Sequence, residues 1–164
     1  MFPSRRLGLL LALLACAPAM QGCAPAAPGW VLRGTSARKE ARRTLVGVGA
    51  AVGAAGATRN QRLRRALAEQ HARDALARLL DGFEADVRRR LGAGEELSGR
   101  GRDDTVVDVS AVPIAAAWSA PDGTEYAQAA LDLEKWKEAV SRLEGGEAAA
   151  LVADEVFDAE AARR

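Results

Sequence analysis

The longest regular pattern in the chain is a helical one between residues 60 and 91. Apolar side chains recur there at steps of three and four residues, which places them on one face of an α-helix. They are Leu63, Ala66, Leu67, Ala72, Ala75, Leu76, Leu79, Leu80, Phe83, Val87 and Leu91. We expect Asn60 to be the N-cap of this helix and the glycines at 92 and 94 to end it. The first half of the face is rich in alanine, so a β-sheet is expected to approach it closely.

Strand patterns lie on both sides of this helix. Residues 44–53 are rich in valine and glycine, and glycine within a strand indicates a bulge or a close approach of another backbone. After the helix, Thr105–Trp118 alternates apolar and polar positions as far as Pro113, and Glu125–Leu133 is predicted to be its partner strand. The Pro-Asp-Gly sequence at 121–123 is typical of a tight turn. The sequence therefore predicts a strand, a long helix and a hairpin.

Two further helical segments complete the chain. Residues 134–143 and the acidic, alanine-rich segment 147–162 both show amphipathic spacing. The predicted fold class is therefore α+β, with a β-α-β-β core in which one long helix packs on a small antiparallel sheet, followed by C-terminal helices. We place this domain at residues 44–143 and treat residues 144–164 as an acidic C-terminal helix or tail.

The first 43 residues have the layout of an export signal followed by a tether. A short basic start precedes an apolar run from Leu7 to Ala15, which is too short to span a bilayer. The sequence Leu-Leu-Ala-Cys at 13–16 is similar to the bacterial lipobox. Residues 1–15 are therefore predicted to be a lipoprotein signal peptide, and Cys16 is predicted to carry the lipid. Residues 16–43 are then the lipidated N-terminus and tether.

Two other interpretations of this leader stay open. Met-Gln-Gly-Cys at 20–23 is a second lipobox-like sequence, and cleavage there would lipidate Cys23 and leave no free thiol. The other interpretation is an ordinary secretory signal, because small-x-small cleavage sites occur at residues 15–17 and 17–19. Each of these interpretations exports the chain from the cytosol.

Composition narrows the chemistry expected of the domain. The formal net charge is +1 with 27% charged residues, which disfavours a dedicated nucleic-acid binder. Two cysteines and a single histidine, His71, are too few for a disulfide scaffold or a zinc site. The spacing of Gly47, Gly49 and Gly53 is similar to a dinucleotide fingerprint, but the predicted helix begins too late to hold a pyrophosphate. We therefore expect no cofactor, no metal and no nucleic acid, and we interpret these glycines as positions of close packing between strand and helix.

Charge is distributed unevenly along the chain. Residues 33–43 contain five basic residues and one acidic residue, whereas aspartate and glutamate dominate between residues 122 and 160. The first explanation is two solvated faces. Self-association between protomers is the second, and contact with anionic lipid headgroups is the third.

Several features occur in a recognisable order along the chain. They are a lipobox leader, Trp30 soon after that leader, Gly47-Val48-Gly49-Ala50 before the long helix, alanine-arginine pairs on that helix, and the hairpin sequence at 118–126. This order resembles the LPP20 family of bacterial lipoproteins over about residues 44–133. Pro113 and the glycine-rich loop before it depart from the family pattern. The resemblance implies an envelope-anchored protein with an assembly or scaffolding role, flagellar in some members, and it brings no catalytic residue.

We therefore expect a non-enzymatic protein of the bacterial cell envelope, held by lipid in the outer membrane and facing the periplasm. Its expected partners are the membrane and either other proteins or a second copy of the chain. The alternative is a small-ligand-binding or enzymatic module of the periplasm. Its pocket would be lined by groups such as Trp118, Tyr126 and Arg73.

Overall fold

The computed structural model describes residues 26–40, 42–53, 60–92, 107–143 and 146–163. Within these residues the chain forms α1 (Gly29–Arg33), β1 (Ser36–Arg38), β2 (Thr44–Ala51), α2 (Gln61–Leu91), β3 (Ile114–Ser119), β4 (Glu125–Asp132), α3 (Leu133–Ser141) and α4 (Gly146–Ala162). A 3-10 turn at Val109–Ala111 precedes β3.

The strands form one antiparallel sheet in the order β1-β2-β4-β3. The central strands β2 and β4 pair along their whole length, from Thr44 opposite Asp132 to Ala51 opposite Glu125. Helix α2 connects β2 to the β3–β4 hairpin and packs across the two central strands. The predicted α+β class, with its β-α-β-β core, long helix and C-terminal helices, is confirmed.

The edge strand β1 lies in a segment that was predicted to be tether. Residues 16–43 show no strand pattern, yet Ser36–Arg38 pairs with β2. Arg38 is only 8% exposed, and its guanidinium donates hydrogen bonds to the carbonyl oxygens of Trp30 (3.4 Å) and Gly34 (2.6 Å). The strand therefore depends on backbone pairing with β2 and on a buried cation with carbonyl partners. Neither produces a local hydrophobic pattern.

The strand predicted at Thr105–Trp118 is shorter in the structure. Its first two residues lie outside the described part of the chain, and β3 begins only at Ile114. At Val109–Ala111 the Asp108 carboxylate accepts hydrogen bonds from the N–H (2.9 Å) and the hydroxyl (2.6 Å) of Ser110. Such local bonds compete with a strand ladder. The alternating pattern before β3 therefore belongs to a turn, and the strand prediction there is wrong.

Helix α2 crosses β2 at a distance that requires glycine. A Cβ atom on Gly47 would lie 2.2 Å from the carbonyl oxygen of Ala72 and 2.5 Å from the nitrogen of Leu76. A Cβ atom on Gly49 would lie 2.2 Å from the nitrogen of Ala72 and 2.3 Å from the carbonyl oxygen of Ala68. Favourable contacts between carbon atoms need about 3.5–4.0 Å. The interpretation of these glycines as close-packing positions is confirmed.

The buried face of α2 differs from the predicted one in its first turns. Leu63 and Leu67 are 59% and 43% exposed, and Ala66 is also exposed, whereas Ala68 is fully buried. The close contact between Gly49 and Ala68 turns this face toward β2 and leaves the two leucines on the solvent side. In the rest of the helix the predicted positions are buried or half-buried.

The two ends of α2 follow different rules. Gly92 ends the helix as predicted, with φ 63° and an N–H that donates to the carbonyl of Arg89. Asn60 precedes the helix, but it has φ 77° and its side chain makes no capping hydrogen bond. Asn60 therefore occupies the predicted N-cap position, where its carbonyl accepts from the N–H of Arg64 at 3.0 Å, but its side chain does not cap the helix. Gly94, the other predicted stop, lies outside the described residues.

Helix α4 belongs to the core of the domain. It packs on α2, on α3 and beside β1, and it buries Ala149, Ala153, Val156 and Phe157. Phe83 of α2 and Trp136 of α3 meet edge to face at 5.0 Å in the same core. The predicted C-terminal helix thus docks fully. In the ranges described above, no helix is both long and apolar enough to cross a membrane.

Candidate interaction surface

The sheet has two faces that differ in burial. The inner face lies against α2, because Gly47 and Gly49 face that helix, and the pairing of β2 with β4 carries this parity across the sheet. Its buried side chains include Leu45, Ala127, Ala129 and Leu131. On the outer face Val46 is buried next to β1, whereas the side chains farther along the sheet are half-buried, namely Val48, Ala116, Trp118, Tyr126 and Gln128. The outer face is the candidate interaction surface of the sheet.

An aromatic pair forms the centre of the outer face near the hairpin. Trp118 stands directly opposite Tyr126 in the β3–β4 register, and their ring centroids are 5.4 Å apart with 34° between the planes. The hairpin turn fixes this register, since Gly123 has φ 85° and the N–H of Thr124 donates to the Asp122 carboxylate. The two rings offer apolar area with polar tips, a combination that suits binding by packing.

The pocket predicted from Trp118, Tyr126 and Arg73 is not assembled. The two aromatic residues come together, but Arg73 lies on α2, on the other side of the sheet. Its Nε donates to the carbonyl oxygen of Val112 at 3.2 Å. The strand register decides which face Trp118 and Tyr126 occupy, and the packing of α2 decides the side on which Arg73 lies.

A buried carboxylate that the sequence analysis missed lies on the inner face. Glu125 is 2% exposed. It accepts hydrogen bonds from Gln61 Nε2 (3.0 Å) and from the Ser119 hydroxyl (2.8 Å). These bonds join the hairpin to the first turn of α2. A signal was present, because Glu125 is in phase with the buried positions Ala127 and Ala129 of β4.

Another carboxylate joins α2 to α3. Glu84 accepts a hydrogen bond from the indole N–H of Trp136 at 3.0 Å. Burial raises the pKa of Glu84 above its ordinary value, and it outweighs the opposing effects of the Trp136 hydrogen bond and of the nearby Arg88 charge. The Glu84 carboxylate thus lies between α2 and α3, where its hydrogen bond to Trp136 links the two helices.

Helix α4 is held by ion pairs to the rest of the domain. Arg43 contacts Asp154 at 2.5 Å and Asp158 at 3.1 Å, and its guanidinium lies 5.9 Å from the ring centre of Phe157. Lys137 of α3 also binds Asp154. Burial lowers the pKa of Lys137, but hydrogen bonds to Glu134 and Asp154 outweigh burial and hold this pKa above its ordinary value. These charges join the acidic C-terminal helix to basic positions of the same chain.

The single histidine has a local role. His71 is on the exposed side of α2, and its Nδ1 lies 2.8 Å from the carbonyl oxygen of Ala50. Because that carbonyl can only accept, Nδ1 is the donor. Across the residues with described positions, no group of three or more histidine, cysteine, aspartate or glutamate side chains could hold a metal ion.

An open cleft of about 500 Å³ lies beside β1. Its lining consists of Arg33, Ser36, Ala37, Arg38, Lys39, Glu40, Ala161 and Ala162. The cleft thus lies between the α1–β1 segment and the end of α4.

The predicted lipidation sites Cys16 and Cys23 lie outside the described residues. No protein-family model, curated protein or solved structure matches the chain.

Proposed function

We propose that the protein is a lipid-anchored protein of the bacterial cell envelope with a non-enzymatic scaffolding role. The observation that carries this proposal is the leader. A basic start, the apolar run Leu7 to Ala15 and a cysteine at position 16 follow one another as they do in a lipoprotein signal. Two or more acyl chains on that cysteine would hold the chain to a membrane durably.

The use of polar groups in the domain supports a scaffolding role over a chemical one. Glu125 joins the hairpin to α2, Glu84 joins α2 to α3, and Arg43, the residue before β2, binds α4. The buried carboxylate of Glu125 and the half-buried carboxylate of Glu84 are therefore engaged in holding elements together. This use of polar groups supports a domain that binds protein partners or a second copy of itself.

The resemblance to the LPP20 family favours the same assignment. It supports an outer-membrane location with the domain in the periplasm, and it makes assembly of an envelope or flagellar structure the role to examine first.

Metabolic labelling with a radioactive fatty acid tests the anchor. The intact chain should be labelled, Cys16→Ser should lose the label and retain its leader, and Cys23→Ser should behave as the wild type. Labelling that depends on Cys23 instead would move the anchor to that residue. An unlabelled wild-type chain, or a full-length chain recovered in the cytosol, would refute the proposal.

A further inference from the structure

Helix α1 has an apolar sequence but little burial. Four of its residues are Gly29, Trp30, Val31 and Leu32, and none of its residues is buried. Leu32 is 77% exposed, while Trp30 and Val31 are half-buried. The side chain of Leu32 is therefore presented to the surroundings of the domain, and the half-buried Trp30 and Val31 lie beside it in the same turn.

The position of α1 is fixed through its backbone. Arg38 donates to the carbonyl oxygens of Trp30 and Gly34, and its Nε donates to the Ser36 hydroxyl at 3.1 Å. The N–H of Val48 donates to the Thr35 hydroxyl oxygen at 3.0 Å. These bonds dock the turn on the β1 side of the sheet without covering the side chain of Leu32.

Exposed cations lie in α1 and in the segment after β1. Arg33, Lys39 and Arg42 are 55%, 50% and 80% exposed. Each is 3.1 to 3.7 Å from a carboxylate oxygen. Exposed ion pairs of this kind contribute little to stability, so phosphate groups at a membrane surface can compete for these cations.

The predicted anchor keeps α1 near a membrane. Cys23 and Cys16 precede Gly29 by six and thirteen residues. Even when fully extended, these segments span at most about 20 Å and about 45 Å. A lipid on either cysteine therefore holds α1 within reach of the bilayer surface.

We infer that α1 rests in the interfacial region of the anchoring membrane, with Arg33, Lys39 and Arg42 against lipid phosphates. The inference rests on the proposed lipid anchor and adds the surface that the domain turns toward the bilayer. Tryptophan is favoured at membrane interfaces, where an apolar ring and a polar N–H are both satisfied. Leu32 supplies apolar area at the same depth, and the basic residues favour anionic headgroups.

Hydroxyl-radical footprinting of the mature lipidated chain tests this inference. The probe surfaces are vesicles of phosphatidylethanolamine with phosphatidylglycerol, vesicles of phosphatidylcholine alone, and detergent micelles. Leu151 is 80% exposed on α4 and serves as the internal reference for Leu32. The ratio of Leu32 to Leu151 oxidation should fall at least about threefold in the anionic vesicles relative to detergent, and less in phosphatidylcholine.

Charge variants separate the headgroup contact from the anchor. Arg33→Gln combined with Arg42→Gln should restore much of the Leu32 oxidation in anionic vesicles. Arg142→Gln, at a 73% exposed arginine after α3, should leave it protected. Equal protection in the two variants would contradict the role of the cations.

Three outcomes overturn the inference in distinguishable ways. An unchanged oxidation ratio in a preparation that carries the fatty-acid label refutes the α1 contact and leaves the anchor standing. An unlabelled preparation removes the anchor and the inference with it. Protection of Leu32 that rises with protein concentration in detergent would show that a second copy, and not a membrane, covers α1.

Discussion

Replacing Gly49 by alanine should force α2 away from β2. The new Cβ would lie 2.2 Å from the nitrogen of Ala72, 2.3 Å from the carbonyl oxygen of Ala68 and 2.6 Å from the carbonyl carbon of His71. All three are backbone atoms of α2, so no side-chain rotation relieves the overlap. Because such contacts need about 3.5 Å, the helix must move by roughly 1 Å along the line of contact.

The magnitude follows from two opposing terms. Overpacking a close contact costs about 1–3 kcal/mol, and more where a rigid element must shift. Alanine also lowers the entropy of the unfolded chain relative to glycine, which returns about 0.4–1 kcal/mol when the native conformation is tolerated. Taking the upper end of the overpacking cost less the entropic gain, we expect Gly49→Ala to lower the free energy of unfolding by about 2 kcal/mol, a large part of the stability of a small domain.

Chemical unfolding followed by far-ultraviolet circular dichroism measures this effect, and Gly82→Ala is the matched control. Gly82 lies within α2, and a Cβ there would meet nothing within 4 Å. Alanine should therefore raise the free energy of unfolding by about 0.5–1 kcal/mol through its helix propensity. The two variants should shift the midpoint in opposite directions. A Gly49→Ala chain as stable as the wild type would refute the packing argument.

Other positions carry predictions of the same kind. Phe157→Ala should cost about 3–5 kcal/mol in unfolding free energy, because this ring of α4 is fully buried in the core. A cost as small as that of a surface substitution would mean that α4 does not dock. Burial raises the folded-state pKa of Glu84 above its ordinary value of 4.5, so the folded state binds the proton more tightly. Stability should then fall as pH rises from near 4.5 through the raised pKa. Glu84→Gln should remove this fall and keep the Trp136 hydrogen bond, and identical pH profiles for the two chains would contradict it. Arg43→Leu should cost about 1–2 kcal/mol in low salt and less in high salt, whereas Arg142→Leu should change stability little in either.

Elements with a strong local pattern were predictable from the sequence. The helix α2 ends at Leu91 as its apolar spacing and Gly92 indicate, and β2 occupies most of the predicted strand at 44–53. The hairpin turn has Gly123 at positive φ, as the Pro-Asp-Gly sequence requires. In each case the residues that decide the structure are neighbours in the sequence.

Features decided by distant residues were missed. The strand β1 exists because β2 offers a free edge and because Arg38 finds carbonyl partners in Trp30 and Gly34. The exposure of Leu63 and Leu67 follows from which helix face meets the glycines of β2. Local periodicity cannot supply either fact, since both depend on how separate elements meet.

Which side chains form the outer face of the sheet depends on which alternate residues of β2 face α2. Gly47 and Gly49 are two residues apart and must both face α2, which fixes the inner face of β2. In the observed register Gly49 stands opposite Ala127, so Glu125 also points inward and Tyr126 outward. Trp118 of β3 stands opposite Tyr126 of β4 and therefore points outward as well. A register shift of one residue between β2 and β4 would exchange these positions, burying Tyr126 and exposing the Glu125 carboxylate. The glycine spacing is therefore what turns the aromatic pair toward the outside.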